Sequence, residues 1–215
     1  MKVFIGLLFP LMFLAFGCSG PGRQHTATVI AEYKMGDNMD EHEFWKIVDY
    51  AFSTSDGNMK RQAQVITQKL LQYKPKQIVD FEIMLSKKII EANDFKIIAA
   101  DKIIDGSVSD DTFLYFRCWL IGLGQNTFEQ TIKNPDYLAE VIDKGVVPDF
   151  EDLLYVSTTA YRNKTGVKKE DDTFPRNVAF TKGLNYDFGG PKTTGKDCME
   201  SELPGLYPKL WNKFK

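Results

Sequence analysis

The sequence predicts an all-α fold: a compact multi-helix, bundle-like domain with a long irregular loop before a short C-terminal helix. Three observations predict it. From Met39 onward apolar residues recur at helical spacing, no stretch alternates with the period of two that a half-buried strand requires, and caps and prolines separate the periodic segments. The 215 residues are 43% hydrophobic and 26% charged, which is typical of one globular domain with an appendage.

The helices are predicted from their stripes and their boundary residues. Asp40 with Glu43 resembles a capping box and opens a first helix, on which Phe44, Ile47, Val48, Ala51 and Phe52 form one stripe. Pro75 suits the first turn of a third helix. The other predicted helices cover residues 63–73, 95–104, 112–123, 125–132 and 135–142, and a further one follows Pro148 and closes at Gly166.

Residues 167–204 carry prolines and glycines but no helical stripe, so they are expected to form one long irregular segment. A loop of this length in a compact domain is usually functional or poorly ordered. Its aromatic residues suggest that it packs onto the helices; they are Phe174, Phe180, Tyr186 and Phe188. Residues 208–214 are expected to dock as a short closing helix.

The N-terminus has the pattern of a targeting segment. Lys2 precedes an uncharged apolar run at residues 3–16, which is shorter than the roughly 20 residues of a membrane-spanning helix. The run ends in Leu14-Ala15-Phe16-Gly17-Cys18, which resembles the lipobox of bacterial lipoproteins. That resemblance implies a signal peptide at 1–17 and lipid, including palmitate, on Cys18, and Ser19 is compatible with transfer to the outer membrane.

The expected organisation is therefore a signal peptide (1–17), a tether (18–38) and a single helical domain (39–215). The expected location is the cell envelope, with the membrane as a partner through the lipid on Cys18. Plain secretion with a free Cys18 is the alternative. In an oxidising envelope Cys118 and Cys198 could pair, although Cys118 lies in an apolar helix and could equally be a buried small hydrophobe.

Several function classes are disfavoured by what the sequence lacks. The 27 basic and 29 acidic residues give a net charge of −2, which argues against a nucleic-acid partner. The only histidines are His25 and His42, and no zinc-ligand spacing, P-loop, dinucleotide-binding glycine pattern or nucleophile elbow is present. We therefore expect no metal, no cofactor and no identifiable catalytic residue.

One segment, residues 109–121, concentrates carboxylates, aromatic rings and an arginine on one helix. Arg117 is expected at the edge of the buried stripe, where a guanidinium needs a carboxylate partner. The candidate partners are Asp110, Asp111, Glu43 and Glu151. Either Arg117 binds an anionic or carbonyl group in a pocket framed by Trp119, or its ion pair fixes helix packing.

Two interpretations are also open for Trp45 and Tyr155: each is either a core residue or a ligand contact. The ligand-binding candidates are thus Asp110, Asp111, Arg117, Trp119, Trp45 and Tyr155.

These motifs carry a resemblance to a known family. Glu43-Phe44-Trp45 with Asp49, the run from Ser109 to Gly122, Asn134-Pro135-Asp136, the run from Leu153 to Gly166, and the ending from Leu203 to Trp211 are similar to the family called domain of unknown function 4240. The resemblance covers roughly residues 39–214. It implies a mostly helical domain, typically a cytoplasmic bacterial one without an assigned activity, and it supplies no catalytic residues. A lipoprotein version departs from that cytoplasmic pattern.

The leading hypothesis is a non-catalytic, lipid-anchored domain that binds a protein or a small ligand in the cell envelope. One alternative is a hydrolase that uses Asp110, Asp111 or Glu151, with Arg117 as an anion clamp. Another is an immunity-type inhibitor of a toxin. The enzyme would be favoured if Arg117 and both aspartates converge in one open cleft. The non-catalytic domain would be favoured if these groups pair with each other in a closed arrangement beneath the 167–204 segment.

Overall fold

The computed structural model describes residues 38–187 and 189–215. Within these ranges the chain forms eleven α-helices, three short 3-10 helices and no β-strand, so the predicted all-α fold is confirmed. None of these helices is long and apolar enough to cross a bilayer. The expected signal peptide, Cys18 and all but the last residue of the expected tether lie outside the described residues.

The α-helices, in chain order, are α1 (Glu41–Thr54), α2 (Met59–Leu70), α3 (Pro75–Glu91), α4 (Phe95–Ile104), α5 (Asp110–Gly122), α6 (Gln125–Lys133), α7 (Leu138–Val141), α8 (Val156–Thr165), α9 (Pro175–Thr181), α10 (Leu203–Leu206) and α11 (Pro208–Phe214). The 3-10 helices are Pro135–Tyr137, Glu151–Tyr155 and Glu200–Glu202.

Local capping signals place the helix starts where the sequence predicts them. The Asp40 carboxylate accepts a hydrogen bond from the Glu43 amide at 2.9 Å, and it thereby satisfies one of the unpaired donors of the first turn of α1. At the start of α5, the Thr112 hydroxyl accepts from the Ser109 amide at 2.8 Å and the Ser109 hydroxyl accepts from the Thr112 amide at 3.2 Å. Pro75 occupies the first turn of α3.

The core is built around α3, whose apolar stripe is fully buried; this stripe comprises Ile78, Phe81, Leu85 and Ile89. The helix packs against α1, α5, α8 and α9. The Phe81 ring lies 4.9 Å from that of Phe44 on α1, and Trp45 lies 5.3 Å from Phe128 on α6. Each such buried side chain contributes about 1.5–3 kcal/mol of transfer free energy, so α3 carries much of the apolar stabilisation.

Phe52, expected on the buried stripe of α1, is 42% exposed, so that expectation was wrong. The reason is helical geometry. Eight residues at 100° each place Phe52 about 80° round the helix from Phe44, at the edge of the face that contacts the core.

The expectation that residues 167–204 contain no helix was also wrong. They include α9 and the 3-10 helix Glu200–Glu202. Because α9 is only seven residues long, it buries Pro175 and Ala179 but spans too few turns to show a periodic stripe. Of the aromatics expected to pack here, Phe174 and Tyr186 are buried and Phe180 is 62% exposed, while Phe188 lies outside the described residues.

Both described cysteines are free thiols, so Cys118 and Cys198 form no disulfide. Cys118 is buried in α5, and burial raises the pKa of its thiol. It therefore packs as a small apolar side chain, the alternative that its place in an apolar helix suggested.

Candidate functional site

A cleft of about 510 Å³ opens beside the N-terminal half of α5. Its other walls are the junction between α3 and α4 and a C-terminal wall formed by residues 186–187 and 189–193. The volume falls in the range of small-molecule sites. The described lining residues are Asn93, Ile98, Val108, Ser109, Asp110, Asp111, Phe113, Leu114, Arg117, Tyr186, Asp187, Gly189, Gly190, Pro191 and Thr193.

Hydrogen bonds join the end of the C-terminal wall to the α3–α4 junction. The Asn93 side-chain amide donates to the Pro191 carbonyl at 3.0 Å, and the Thr193 hydroxyl donates to the Asn93 side-chain oxygen at 3.2 Å. The Thr194 amide donates to the Asn93 carbonyl at 3.0 Å, and the Phe95 amide donates to the Thr194 carbonyl at 3.0 Å. Residues 191–194 are therefore anchored to the α3–α4 junction.

Arg117 lines the cleft with a side chain that is otherwise packed into the core; only 6% of the residue is exposed. Its Nε donates to the Phe113 carbonyl at 3.3 Å and its Nη1 to the Ile89 carbonyl at 3.2 Å. Its guanidinium carbon lies 4.7 Å from the centroid of the Phe113 ring. Ile89 is in the last turn of α3, so Arg117 caps that helix end as well as lining the cleft.

The predicted ion pair of Arg117 is wrong: none of the four expected carboxylates bonds to it among the described contacts. Glu43 instead contacts Lys46 and the Tyr73 hydroxyl, and Glu151 accepts from Tyr155 at 2.8 Å. Backbone carbonyls take the place of the carboxylate, because the end of α3 presents one to the buried guanidinium. Burial lowers the pKa of Arg117, and nearby Asp187 partly opposes this by its charge.

The structure brings Asp110 and Asp111 into the same cleft as Arg117. Both are exposed residues in the first turn of α5, where the positive end of the helix dipole favours carboxylates. Asp187, on the opposite wall, adds a third exposed carboxylate. Within the described lining the cleft therefore carries three carboxylates around one cation.

The other three predicted ligand contacts lie elsewhere. Trp119 is 3% exposed and packs 5.2 Å from Phe116, and Trp45 is 1% exposed and donates to Glu41 at 3.4 Å. Tyr155 is 45% exposed and lines a separate groove between α2 and α8. The two tryptophans are thus core residues.

Sequence reasoning missed Asp187, Asn93 and Thr193 as parts of the site. They follow no motif, and each reaches the cleft through the docking of the irregular segment. The signal that could have found them is the Gly189-Gly190-Pro191 run. At Gly190 an added Cβ would lie 2.8 Å from the Asn185 carbonyl oxygen, so that close turn requires glycine.

No group of three or more metal-ligating side chains occurs in residues 38–187 and 189–215. His42 is an exposed residue in the first turn of α1. The charged groups in the described lining of the cleft are Asp110, Asp111, Asp187 and Arg117.

Comparison with known families identifies the family of this chain. The model of the family described as protein of unknown function (DUF4240) matches residues 39–163, which is more than half of the 215 residues. The chain belongs to this family. The matched region holds α1 to α7 and most of α8, hence Arg117, Asp110 and Asp111, and it ends before the C-terminal wall of the cleft. Neither the curated proteins nor the solved structures contain a match to this DUF4240 chain.

Proposed function

We propose that the chain is a non-catalytic binding protein, tied to lipid in the cell envelope through Cys18, that takes a small ligand in the cleft at Arg117. The proposal rests on the burial and hydrogen bonding of the Arg117 guanidinium. A buried guanidinium lines an open cleft, two of its nitrogens are fixed by carbonyls, and its Nη2 has no acceptor among the described residues. A ligand acceptor at that nitrogen would complete its hydrogen bonding.

The charges of the cleft indicate the ligand's chemistry. Arg117 favours a carboxylate or carbonyl oxygen at the buried end, because charge-assisted hydrogen bonds are strong where water is excluded. Asp110, Asp111 and Asp187 favour a cationic amine at the open end. Apolar lining from Ile98, Val108 and Leu114 suits an aliphatic body between the two. The ligand is thus a small molecule with an amine at one end and an acceptor at the other.

The test is to purify the protein from its own envelope extract and identify the small molecules that it retains. The wild-type chain should retain an amine-bearing acceptor compound, and Arg117→Lys should release it, since an ammonium cannot satisfy both carbonyls and a ligand with the same geometry. Arg61→Lys, at an exposed position on α2, is the matched control and should retain the compound. Equal retention by Arg117→Lys would contradict the proposal.

The lipid anchor is tested separately. Cys18→Ser should leave the chain unprocessed or released from the membrane, since the residue that carries the lipid is gone. A Cys18→Ser protein that is processed and membrane-bound as before would contradict the anchor but not the cleft.

One observation favours the hydrolase alternative, namely that Asp110, Asp111 and Arg117 share one open cleft. An enzyme would turn over ester, amide or phosphate substrates and lose that activity in Asp110→Asn or Asp111→Asn. A binding protein would release no product, although the same variants would bind its ligand more weakly.

A further inference from the structure

We propose that the domain has a second binding site, a small acidic cavity at the C-terminal end of α4 that takes the ammonium group of a small primary alkylamine. The site is separate from the Arg117 cleft and does not depend on it. The proposal rests on three aspartates that line one cavity, and on the burial of one of them without a hydrogen-bond partner.

The cavity has a volume of about 90 Å³, close to that of three water molecules at roughly 30 Å³ each. It lies between the end of α4, the first turns of α5 and residues 147–149. Asp101, Asp105 and Asp149 line it, and its described lining includes no lysine, arginine or histidine. The fixed charge of the cavity is therefore negative.

Asp101 is the buried carboxyl group of this lining. Only 1% of the residue is exposed, and its Oδ2 has no hydrogen-bond partner among the described residues. Buried polar atoms in native proteins are nearly always hydrogen-bonded, and leaving one unpaired is costly. Because Asp101 lines the cavity, a donor held there can supply the missing hydrogen bond.

The backbone of α4 adds to the negative potential. Asp101 lies in the last turn of this helix and Asp105 is its C-cap. The C-terminal end of a helix dipole is negative, so it disfavours carboxylates and favours cations. Two carboxylates at such a helix end therefore indicate that a cation belongs beside them.

No cation of the described chain occupies this position. Asp105 is the charged group that acts on Asp101, and its charge adds to burial in raising the pKa of Asp101. Lys215 approaches this end of α4 beside Gly106, but in the described residues it forms no ion pair with any of the three aspartates. The charge of the cavity is thus left for a ligand to balance.

The lining favours an alkylammonium group over a metal ion. Among residues 38–187 and 189–215, no three carboxylates gather closely enough to hold one metal. An ammonium group has three N–H donors, which reach separate acceptors at about 2.8–3.0 Å. Val147, which is 65% exposed, lines the cavity together with Pro148 and Tyr115, so an alkyl chain that leaves the cavity meets apolar surface.

The probe is n-butylammonium, with tetramethylammonium and n-butanol as controls. The first control has the charge but no N–H donor, and the second has the chain but no charge. We would follow the backbone amide signals of Asp101, Asp105 and Asp149 by NMR in the full 215-residue chain in detergent, at about pH 8 and constant ionic strength. The probe should shift these signals to saturation with a dissociation constant on the order of 1 mM, and neither control should.

Asp101→Asn should weaken n-butylammonium binding at least about tenfold, because it removes the buried charge that the ammonium group meets. The variant loses a buried ionisable group, so it should not unfold. Asp172→Asn, at an exposed position outside the cavity, is the control and should bind the probe as the wild type does. Retention of the Arg117 ligand should be the same in all three proteins, which separates this site from the proposed function.

The affinity should also rise with pH. Below its pKa of about 8, Asp101 keeps a proton that the ammonium group must displace. Between about pH 6 and about pH 8, each lower pH unit should therefore weaken binding by up to about tenfold, while the amine itself stays charged. Tyr115 stays neutral over this range, since desolvation and nearby carboxylates raise its pKa. In Asp101→Asn the dependence should be absent.

Four results would each overturn the site. They are the absence of saturable shifts at the three aspartates, equal binding of tetramethylammonium or n-butanol, an unchanged affinity in Asp101→Asn, and a crystal soaked in n-butylammonium whose cavity holds only water.

Discussion

Arg117 has two roles at the level of the single residue. Its Nε and Nη1 satisfy carbonyls of Phe113 and Ile89, and the second of these lies at the end of α3, where helix carbonyls lack amide partners. Its remaining nitrogen is left for the cleft. Substitution should therefore affect stability and ligand retention together.

Arg117→Leu should lower the free energy of unfolding by about 1–3 kcal/mol, because it leaves the buried Ile89 carbonyl unpaired and removes a charge-assisted hydrogen bond. Urea denaturation at neutral pH measures this. If the ligand is lost while the unfolding midpoint does not move, the residue serves the ligand alone and the capping role is wrong.

Asp101 on α4 is another buried ionisable residue, with 1% of the residue exposed and no hydrogen-bond partner for its Oδ2 among the described residues. Burial, together with the charge of Asp105, raises the pKa of Asp101 to about 8. The folded state therefore retains a proton that the unfolded chain loses near its usual pKa of 3.8. Between these two values the unfolded state binds fewer protons, so stability falls as the pH rises.

Asp101→Asn should remove this pH dependence and make the domain more stable near neutral pH. In the wild type, Asp101 should reduce the free energy of unfolding by up to about 1.4 kcal/mol per pH unit within that window. Urea unfolding of both proteins near about pH 5 and about pH 7 measures the difference, with exposed Asp172→Asn as the control. A gap between wild type and Asp101→Asn that does not widen with pH would refute the raised pKa.

The first turn of α6 is capped by a carboxylate from another helix, and this cap requires glycine at position 124. Gly124 precedes it with a φ of 92°, and the Asp49 carboxylate on α1 accepts from the Gln125 amide at 2.8 Å. A Cβ at Gly124 would lie 2.5 Å from that same carboxylate oxygen. Asp49 thus caps α6 from another helix, and the cap needs a residue without a side chain beside it.

Gly124→Ala should destabilise the domain by about 1–3 kcal/mol from backbone strain, with a further loss as Asp49 is pushed away from its amide. Gly57→Ala is the matched control, since Gly57 also has a positive φ (73°) but no atom within 4 Å of an added Cβ. Thermal or urea unfolding compares them. Equal losses in the two variants would show that the Asp49 contact contributes nothing.

The helices differ in how far the sequence predicts them. Helices α1 to α6 were predictable because each has two or more turns and apolar residues that must be buried, and because caps such as Asp40 and Ser109 mark some of their starts. Helix α9 was not, because seven residues starting at Pro175 show no period. Nor was the partner of Arg117, because a backbone carbonyl of α3 carries no sequence signature.

In the whole molecule, the candidate site forms where three distant parts of the chain meet: the α3–α4 junction, α5 and the C-terminal wall of the cleft. The sequence predicted the three site residues of α5, which are Asp110, Asp111 and Arg117, because they lie within about two turns of one helix. Asp187 and Asn93 could not be paired with them from the sequence, since their approach depends on hydrogen bonds such as that from Asn93 to Pro191.

The two free thiols report on the stability of the whole fold. Cys198 is partly exposed and Cys118 is buried in the core. A thiol reagent should therefore label Cys198 in the native protein and Cys118 only at the rate of global unfolding, because a buried thiol with a raised pKa is unreactive. Site-resolved mass spectrometry of the labelled peptides follows both. Rapid labelling of Cys118 in native protein, or an oxidised pair that resists labelling, would contradict this packing.

The most direct test of the account is a high-resolution crystal structure of the protein purified from its own cells without a refolding step. The account predicts density for a small molecule between Asp110 and Arg117, with an acceptor atom within hydrogen-bonding distance of Arg117 Nη2. A cleft that holds only ordered water in protein purified this way, or Asp187 closed onto Arg117 in a direct ion pair, would contradict it.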